Sequence, residues 1–342
     1  LGPAGLPPGR REFCMKASPR PSKRLYLLLL LLVVAVAIGI YTLTGGRSLL
    51  GRVEKRPADK EENLVYGLGY TASSDCVLER DGIILVNRGG QVLARQLSTG
   101  IQLEAGSIAQ RSQLPILRMA EHVGYLYLYD GAAVYRLNIG GDGKVHTAVK
   151  ECLKFEPMGD YIYSLQEYRG QRWLFRSSLI GSNEKRLFDC GTQDFWAHGG
   201  DLLTLDSQGH YRWYNVVTQN SLEHILPDGL SHLTLSSGGI LYLLEGGLHC
   251  RPLMGQTDTR IADGVLSFAA GPEHIAMLKE DGRIWLCRAD GSEMSCLSGR
   301  EFPDGTRLDV SAGWVFATLP GGEVWSASTE GGDWSLAFDP AA

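Results

Sequence analysis

The residue types that carry chemistry are all present in this chain of 342 residues, and none falls into a spacing that performs it. No G-x-S-x-G offers a nucleophilic serine, no H-E-x-x-H sets two imidazoles on one helix face for zinc, and no C-x-x-C-H awaits haem. Gly143-Lys144 is followed by Val145, where a phosphate loop needs Ser or Thr. Gly67 to Ala72 spells G-x-G-x-x-A, but no βαβ unit follows it, so it reads as a strand with glycines. Eight Asp-Gly pairs, led by Asp81, Asp130, Asp142, Asp228, Asp263, Asp281, Asp290 and Asp304, lack the alternating acids and distal Glu of a calcium loop and read as hairpin turns. The eight histidines form no i, i+4 pair, and His274 reads as a packed residue at the start of an apolar run. The expectation is a chain without catalytic residue, metal or cofactor.

Thiols add nothing to that list. Cys14 stands before an apolar run, and Cys76, Cys152, Cys190, Cys250, Cys287 and Cys296 are scattered with no C-x-x-C. Cys250 and Cys287 each precede a recurring arginine, where other copies hold Ala94, Tyr135, Phe175 and Tyr211. That slot is apolar, so buried free thiols are expected.

Two sets of side chains remain. One is a series of arginines, Arg95, Arg136, Arg176, Arg212, Arg251 and Arg288, at steps of 41, 40, 36, 39 and 37 residues. Their stems would cover apolar neighbours and their guanidinium groups would bridge to the next sheet; a ring of them lining a channel would instead bind an anion. The other is a set of large rings near the connections, Tyr168, Phe195, Trp196, Trp314 and Trp334. Aromatics at such places recognise proteins or sugars, or else pack between sheets.

A near-constant step of this size is a repeat, and the repeat must position both sets. In five of the six copies the arginine follows a short apolar run and precedes a turn glycine, and in all six a second apolar run lies upstream: 82 to 87, 125 to 130, 161 to 165, 201 to 205, 240 to 244 and 274 to 278. Turn residues such as Asp130-Gly131, Gly246-Gly247 and Asp281-Gly282 split the two runs. A seventh hairpin, 314 to 328, has Ser326 or Ala327 where the arginine would fall. About 40 residues per copy leaves room for two further strands, and no stretch holds a helical period. The predicted fold is all-β: a seven-bladed propeller of four-stranded antiparallel blades over residues 64–342. Its two ends should meet in one blade, with 64 to 70 as an edge strand beside one near 334 to 338, because an open ring leaves two bare edges.

Leu25 to Leu43 carries no charge over 19 residues, long enough to cross a bilayer as a helix. It is also longer than the apolar core of a cleaved signal, and Ala35-Val36-Ala37 offers a cleavage pattern only in mid-run. We therefore expect a retained transmembrane signal-anchor at 25–43. Residues 1–24 would be a basic cytoplasmic head, of which 1–14 precede a better start at Met15, and 44–63 a juxtamembrane linker. The net charge is −5, and the basic head and linker leave about −11 on the propeller. An acidic domain does not suit nucleic acid.

The pattern of an apolar run, then Arg, then Gly, clearest in YIYSLQEYRGQRWLFRSSLIGSNEKRL, resembles the low-density-lipoprotein-receptor-related-protein-like propellers of unknown function in bacterial envelope proteins. AAGPEHIAMLKEDGRIW (269 to 285) resembles the regulator-of-chromosome-condensation repeat through Gly271, His274, Leu278, Asp281, Gly282 and Trp285; SAGWVFATLPGGEVW echoes it. The tryptophan-glycine and Gly-Gln-Leu-Gly tail of that repeat is absent, so the resemblance implies a propeller and neither nucleotide exchange nor chromatin binding. The expected function is non-catalytic binding of a protein or glycan partner in a bacterial cell envelope, at the plasma membrane with the propeller outside. The alternatives are a propeller lyase, lactonase or hydrolase with an axial site, and a structural scaffold.

Overall fold

The computed structural model describes residues 72–341, apart from 81, 89–90, 98–101, 104–115, 139–144, 189–190, 225, 256 and 298. The predicted membrane span, the linker and the strand expected at 64 to 70 lie outside the described residues, as do Cys14 and Cys190. Among the described residues no helix is long and apolar enough to cross a membrane.

Seven antiparallel sheets form the seven predicted blades. The first and innermost strands are Val77–Arg80, Arg118–His122, Cys152–Met158, Thr192–His198, Ser231–Ser236, Val265–Ala270 and Arg307–Val310. The hairpins read from the sequence are the second and third strands of each blade, for example Gly239–Leu244 with Gly247–Arg251 in blade five. The turn there is Glu245-Gly246, one residue earlier than expected, with φ of 51° and 70° at its two centres. Two positive φ values give the turn whose twist matches that of the paired strands.

Period-two alternation fails in these second strands because both of their faces are buried. In blade five, Ile240 and Tyr242 pack towards blade four, against Leu203 and Trp213, while Leu241 and Leu243 pack towards blade six, against Ile275 and Met277. The same division recurs at every junction, giving seven separate apolar clusters, one between each pair of neighbouring blades. This architecture requires apolar residues at consecutive positions, which is how they stand in the sequence.

Of the expected closing pair, the strand near 334 to 338 is present as Ser335–Phe338, the outer strand of blade seven, and the partner at 64 to 70 lies outside the described residues. Blade one is built wholly from 77 to 103 and blade seven wholly from 307 to 338, with no strand shared between the two among the described residues. The seam is apolar: Cys76, Val77, Ile84 and Val86 pack on Phe316, Val324 and Phe338. Ala72–Ser74 pairs antiparallel with the innermost strand of blade two, on the edge that faces the axis (Ala72 opposite Glu121, Ser74 opposite Met119).

Candidate functional site

The first strands of all seven blades, together with the corner Ser74–Cys76, enclose an axial cavity of about 500 Å³. Four of these strands carry a register shift near their start, at Cys152/Lys154, Thr192/Asp194, Ser231/Thr234 and Val265/Ser267. Such bulges re-aim side chains. Lys154 and Asp194 follow two of them, and their charged ends meet in the channel region, Nζ to Oδ1 2.8 Å.

That contact belongs to a series running from blade to blade. Arg80 of blade one pairs with Glu121 of blade two, and Arg118 of blade two donates to Glu156 of blade three at 2.5 Å. Lys154 of blade three continues to Asp194 of blade four. Arg118 also reaches back to Asp75, 3.4 Å away. Burial works against the charge on Arg118, but Glu156 and then Asp75 outweigh it and hold its pKa above the ordinary arginine value. These pairs clasp neighbouring blades along the axis, the task that the sequence suggested for the recurring arginines.

Asp309 on the inner strand of blade seven is the exceptional acid. Burial pushes its carboxyl up to about 7, Asp75 adds to the shift, and the Ser74 hydroxyl, Arg307 and Arg118 oppose it. Ser74 is fixed by its own turn: its Oγ accepts the N–H groups of Cys76 (2.8 Å) and Val77 (2.9 Å). Its hydroxyl proton is left for the Asp309 carboxylate, which ties the seam between blades one and seven.

A raised carboxyl pKa stabilises the fold below the unfolded value near 3.9, and that contribution is lost as pH rises through about 7. His122, His198 and His224, whose pKa values burial lowers, act in the opposite sense below about 6.5, so only a difference between proteins isolates Asp309. Asp309→Asn should therefore gain stability relative to the parent between pH 5 and pH 8. Because the carboxyl is partly open to channel water, about 1–2 kcal/mol is expected, a few degrees in the melting temperature. Parallel melting curves across that range would refute the assignment.

The recurring arginines stand on the third strand of each blade, away from the channel, so they form no axial ring. Five of them have partners inside their own blade. Arg212 meets Glu223 at 3.0 Å on the adjacent strand, and Arg288 meets Glu293 at 2.7 Å across a turn. Arg136 and Arg176 lie over the rings of Tyr125 and Tyr161, at 4.8 and 4.2 Å. Arg251 is the buried member, with two hydrogen bonds to Asp258, 2.5 and 2.8 Å. The third strand's inner neighbour is a strand of its own sheet, so the nearest partners of a long side chain are cross-strand ones.

The five aromatic candidates do not converge. Phe195 is fully buried between blades three and four, and Trp334 is buried between blades six and seven with its ring 4.7 Å from that of Phe302. Trp314 begins the second strand of blade seven and packs partly on the seam. Tyr168 is about half exposed at the far end of a hairpin in blade three. Trp196 alone lines the channel, with Lys154 Nζ 4.7 Å from its ring. Cys76, Cys152 and Cys287 are buried free thiols as expected, whereas Cys250 is free but only half-buried; burial pushes the thiols of Cys76 and Cys152 up to about 12 and those of Cys250 and Cys287 up to about 11. Asp75, Asp309, Arg118 and Glu156 were not singled out from the sequence. Their only signal there is a charged residue on the first strand of a copy, about one period from its partner.

No protein-family model matches the chain, and no curated protein does. Solved structures share its fold. PorZ, an essential bacterial surface component of the type IX secretion system of Porphyromonas gingivalis, aligns with a TM-score of 0.54 at 13% identity over 80% of this chain. The match spans 39% of PorZ's own length. The computationally designed Ika8 protein aligns with a TM-score of 0.51 at 11% identity, over 78% of this chain and 86% of its own. At such identities the likeness establishes the propeller and nothing about activity.

Proposed function

We propose that the chain is a single-pass envelope protein of a bacterium, with a cytoplasmic N-terminus and an extracytoplasmic propeller that binds a protein or glycan partner without catalysing a reaction. The observation that carries this reading is the use made of the inner-strand charges. Arg80, Arg118 and Lys154 are engaged with Glu121, Glu156 and Asp194 in clasping blades together. What a propeller then offers is a rigid frame whose connecting loops recognise a partner at little ordering cost. A bacterial surface component such as PorZ using the same fold agrees with this.

Topology has its own test. Protease added to intact protoplasts should remove the propeller and leave a small membrane fragment. A protected propeller would reverse the orientation, and a soluble one with a new N-terminus beyond Thr44 would mean a cleaved signal.

One observation favours an enzyme as the second reading: Asp309, held near neutrality in a channel beside Asp75, has the pKa of a general acid or base. Turnover of an ester, lactone or glycoside by the full-length chain, abolished in Asp309→Asn, would establish that reading instead.

A further inference from the structure

We infer that the axial channel is a saccharide-binding site, taking a neutral mono- or disaccharide. This rests on the reading of the propeller as a binding module and names the ligand class of one site on it.

The cavity of about 500 Å³ falls within the range of small-molecule sites. Its wall is divided. On the arc formed by blades seven, one, two and three stand Arg307, Asp309, Asp75, Arg118, Glu156 and Lys154. On the arc formed by blades four, five and six the wall is mainly apolar, with Trp196, Leu233, Leu235 and Phe268 interrupted by His198 and His232.

Three acids face three cations on the polar arc. A fourth acid, Glu79, has its carboxylate turned to accept the Gly82 N–H of its own hairpin, 3.0 Å. With the Asp309 carboxyl pushed towards neutrality by burial, the three other acids nearly balance the three cations, so the wall gives little net attraction to a strongly charged ligand, yet it presents many donors and acceptors side by side. Ionised carboxylates only accept and guanidinium and ammonium groups only donate. A ligand that satisfies both kinds at adjacent positions carries groups that do both, and vicinal hydroxyls are such groups. Asp75 is about half exposed and Arg307 is exposed, so both keep hydrogen-bonding capacity for a ligand.

The apolar arc supplies what the other side of a sugar ring requires. A pyranose has a face of C–H groups that packs on an aromatic ring, and Trp196 and Phe268 stand on the wall opposite the carboxylates. At the join of the two arcs the Lys154 ammonium lies over the Trp196 ring, 4.7 Å from its centroid, so a hydroxyl that pairs with this donor also meets the indole. A purely apolar ligand would strand the charged arc without water, and an ion would leave the aromatic arc unused.

The test is titration of the full-length chain in lipid nanodiscs, which carry no sugar headgroups, with neutral hexoses, N-acetylhexosamines and their disaccharides. Tryptophan emission and ligand-observed NMR report binding. At least one sugar should bind and shift the emission, with Kd raised tenfold or more by Arg307→Ala and by Asp75→Asn and the emission change lost in Trp196→Phe. Arg307 and Asp75 are at the surface, so their variants keep the fold, and an unchanged melting curve verifies this. Absence of binding by every sugar at 10-millimolar-order concentrations, tighter binding of free arginine or glutamate, or sugar binding unaltered in all three variants would each overturn the assignment. Capture of a purified envelope protein that persists in the three variants, with no sugar bound, would sink the channel site while leaving the binding-module reading in place.

Discussion

Replacing Phe195 by alanine lowers the folding stability of the propeller by about 3–5 kcal/mol, the cost of emptying a fully buried aromatic site. Phe195 is wholly enclosed by Met158, Tyr163, Leu165 and Leu174 of blade three and Leu202 of its own blade. The neighbouring strands are held by their own ladders and by the Lys154–Asp194 clasp, so they cannot close over the void without breaking hydrogen bonds. In a chain of this size such a loss lowers the melting temperature by roughly 10 °C. Tyr168→Ala is the matched control, since that ring is about half exposed and surface truncations cost within about 0.5 kcal/mol. A Phe195→Ala protein that melts with the parent but loses a partner would place the ring at an interface after all.

Arg251→Ala costs about 2–4 kcal/mol, while Arg288→Ala leaves the melting curve close to that of the parent. The two arginines occupy the same position in successive copies of the repeat, so the sequence assigns them one value. Their surroundings differ. The Arg251 side chain is 8% exposed and its two hydrogen bonds to Asp258 satisfy a carboxylate that is itself only 26% exposed. The fully buried Tyr242 lies beside them, its ring stacked at 5.5 Å on His249. Removing the guanidinium leaves a partly desolvated Asp258 with Tyr242 as its remaining side-chain hydrogen-bond partner; that partner and the share of its surface still in water keep the cost below that of a fully enclosed, unpaired ion. Arg288 and Glu293 are both more than half exposed, and water replaces the lost partner.

The pH dependence discriminates further. Burial would raise the Asp258 pKa, but Arg251 and then Tyr242 outweigh it and hold the carboxyl below its usual range. That contribution is present above the unfolded value near 3.9 and is lost as pH falls through the lower folded value. Arg251→Ala should therefore flatten the acid limb of the stability curve, and chemical denaturation at pH 3 and pH 7 measures it. Equal losses in the two arginine variants would mean that the repeat position, and not its burial, sets the contribution.

The sequence by itself determined the number of blades and the position of every hairpin. Both are local: an apolar run, a turn and a second apolar run specify an antiparallel pair without reference to anything farther along the chain. Recurrence of the pair seven times at about 40 residues then leaves a ring of sheets as the way to bury both faces of each one. Burial of the thiol before Arg288 followed from the same register, while Cys250 before Arg251 is only half-buried.

Tertiary structure alone decided the rest. At the seam, Ala72–Ser74 adds to the axial edge of blade two, and apolar packing of Val77 and Ile84 on Phe316 and Val324 joins the first blade to the last, neither of which a local pattern specifies. Period counting could not separate Arg251 from Arg288, because burial depends on the neighbouring segment and not on the repeated one. It also drew attention to the third strand, where the residue type recurs, and away from the first, where Arg118, Glu156, Lys154 and Asp309 differ from blade to blade. A ring gathers one short strand from each repeat around its axis, so a divided channel wall is assembled from residues some 40 positions apart that share no motif. The bulges at Lys154 and Asp194 turn those side chains by a backbone irregularity that no alternation of apolar and polar residues encodes.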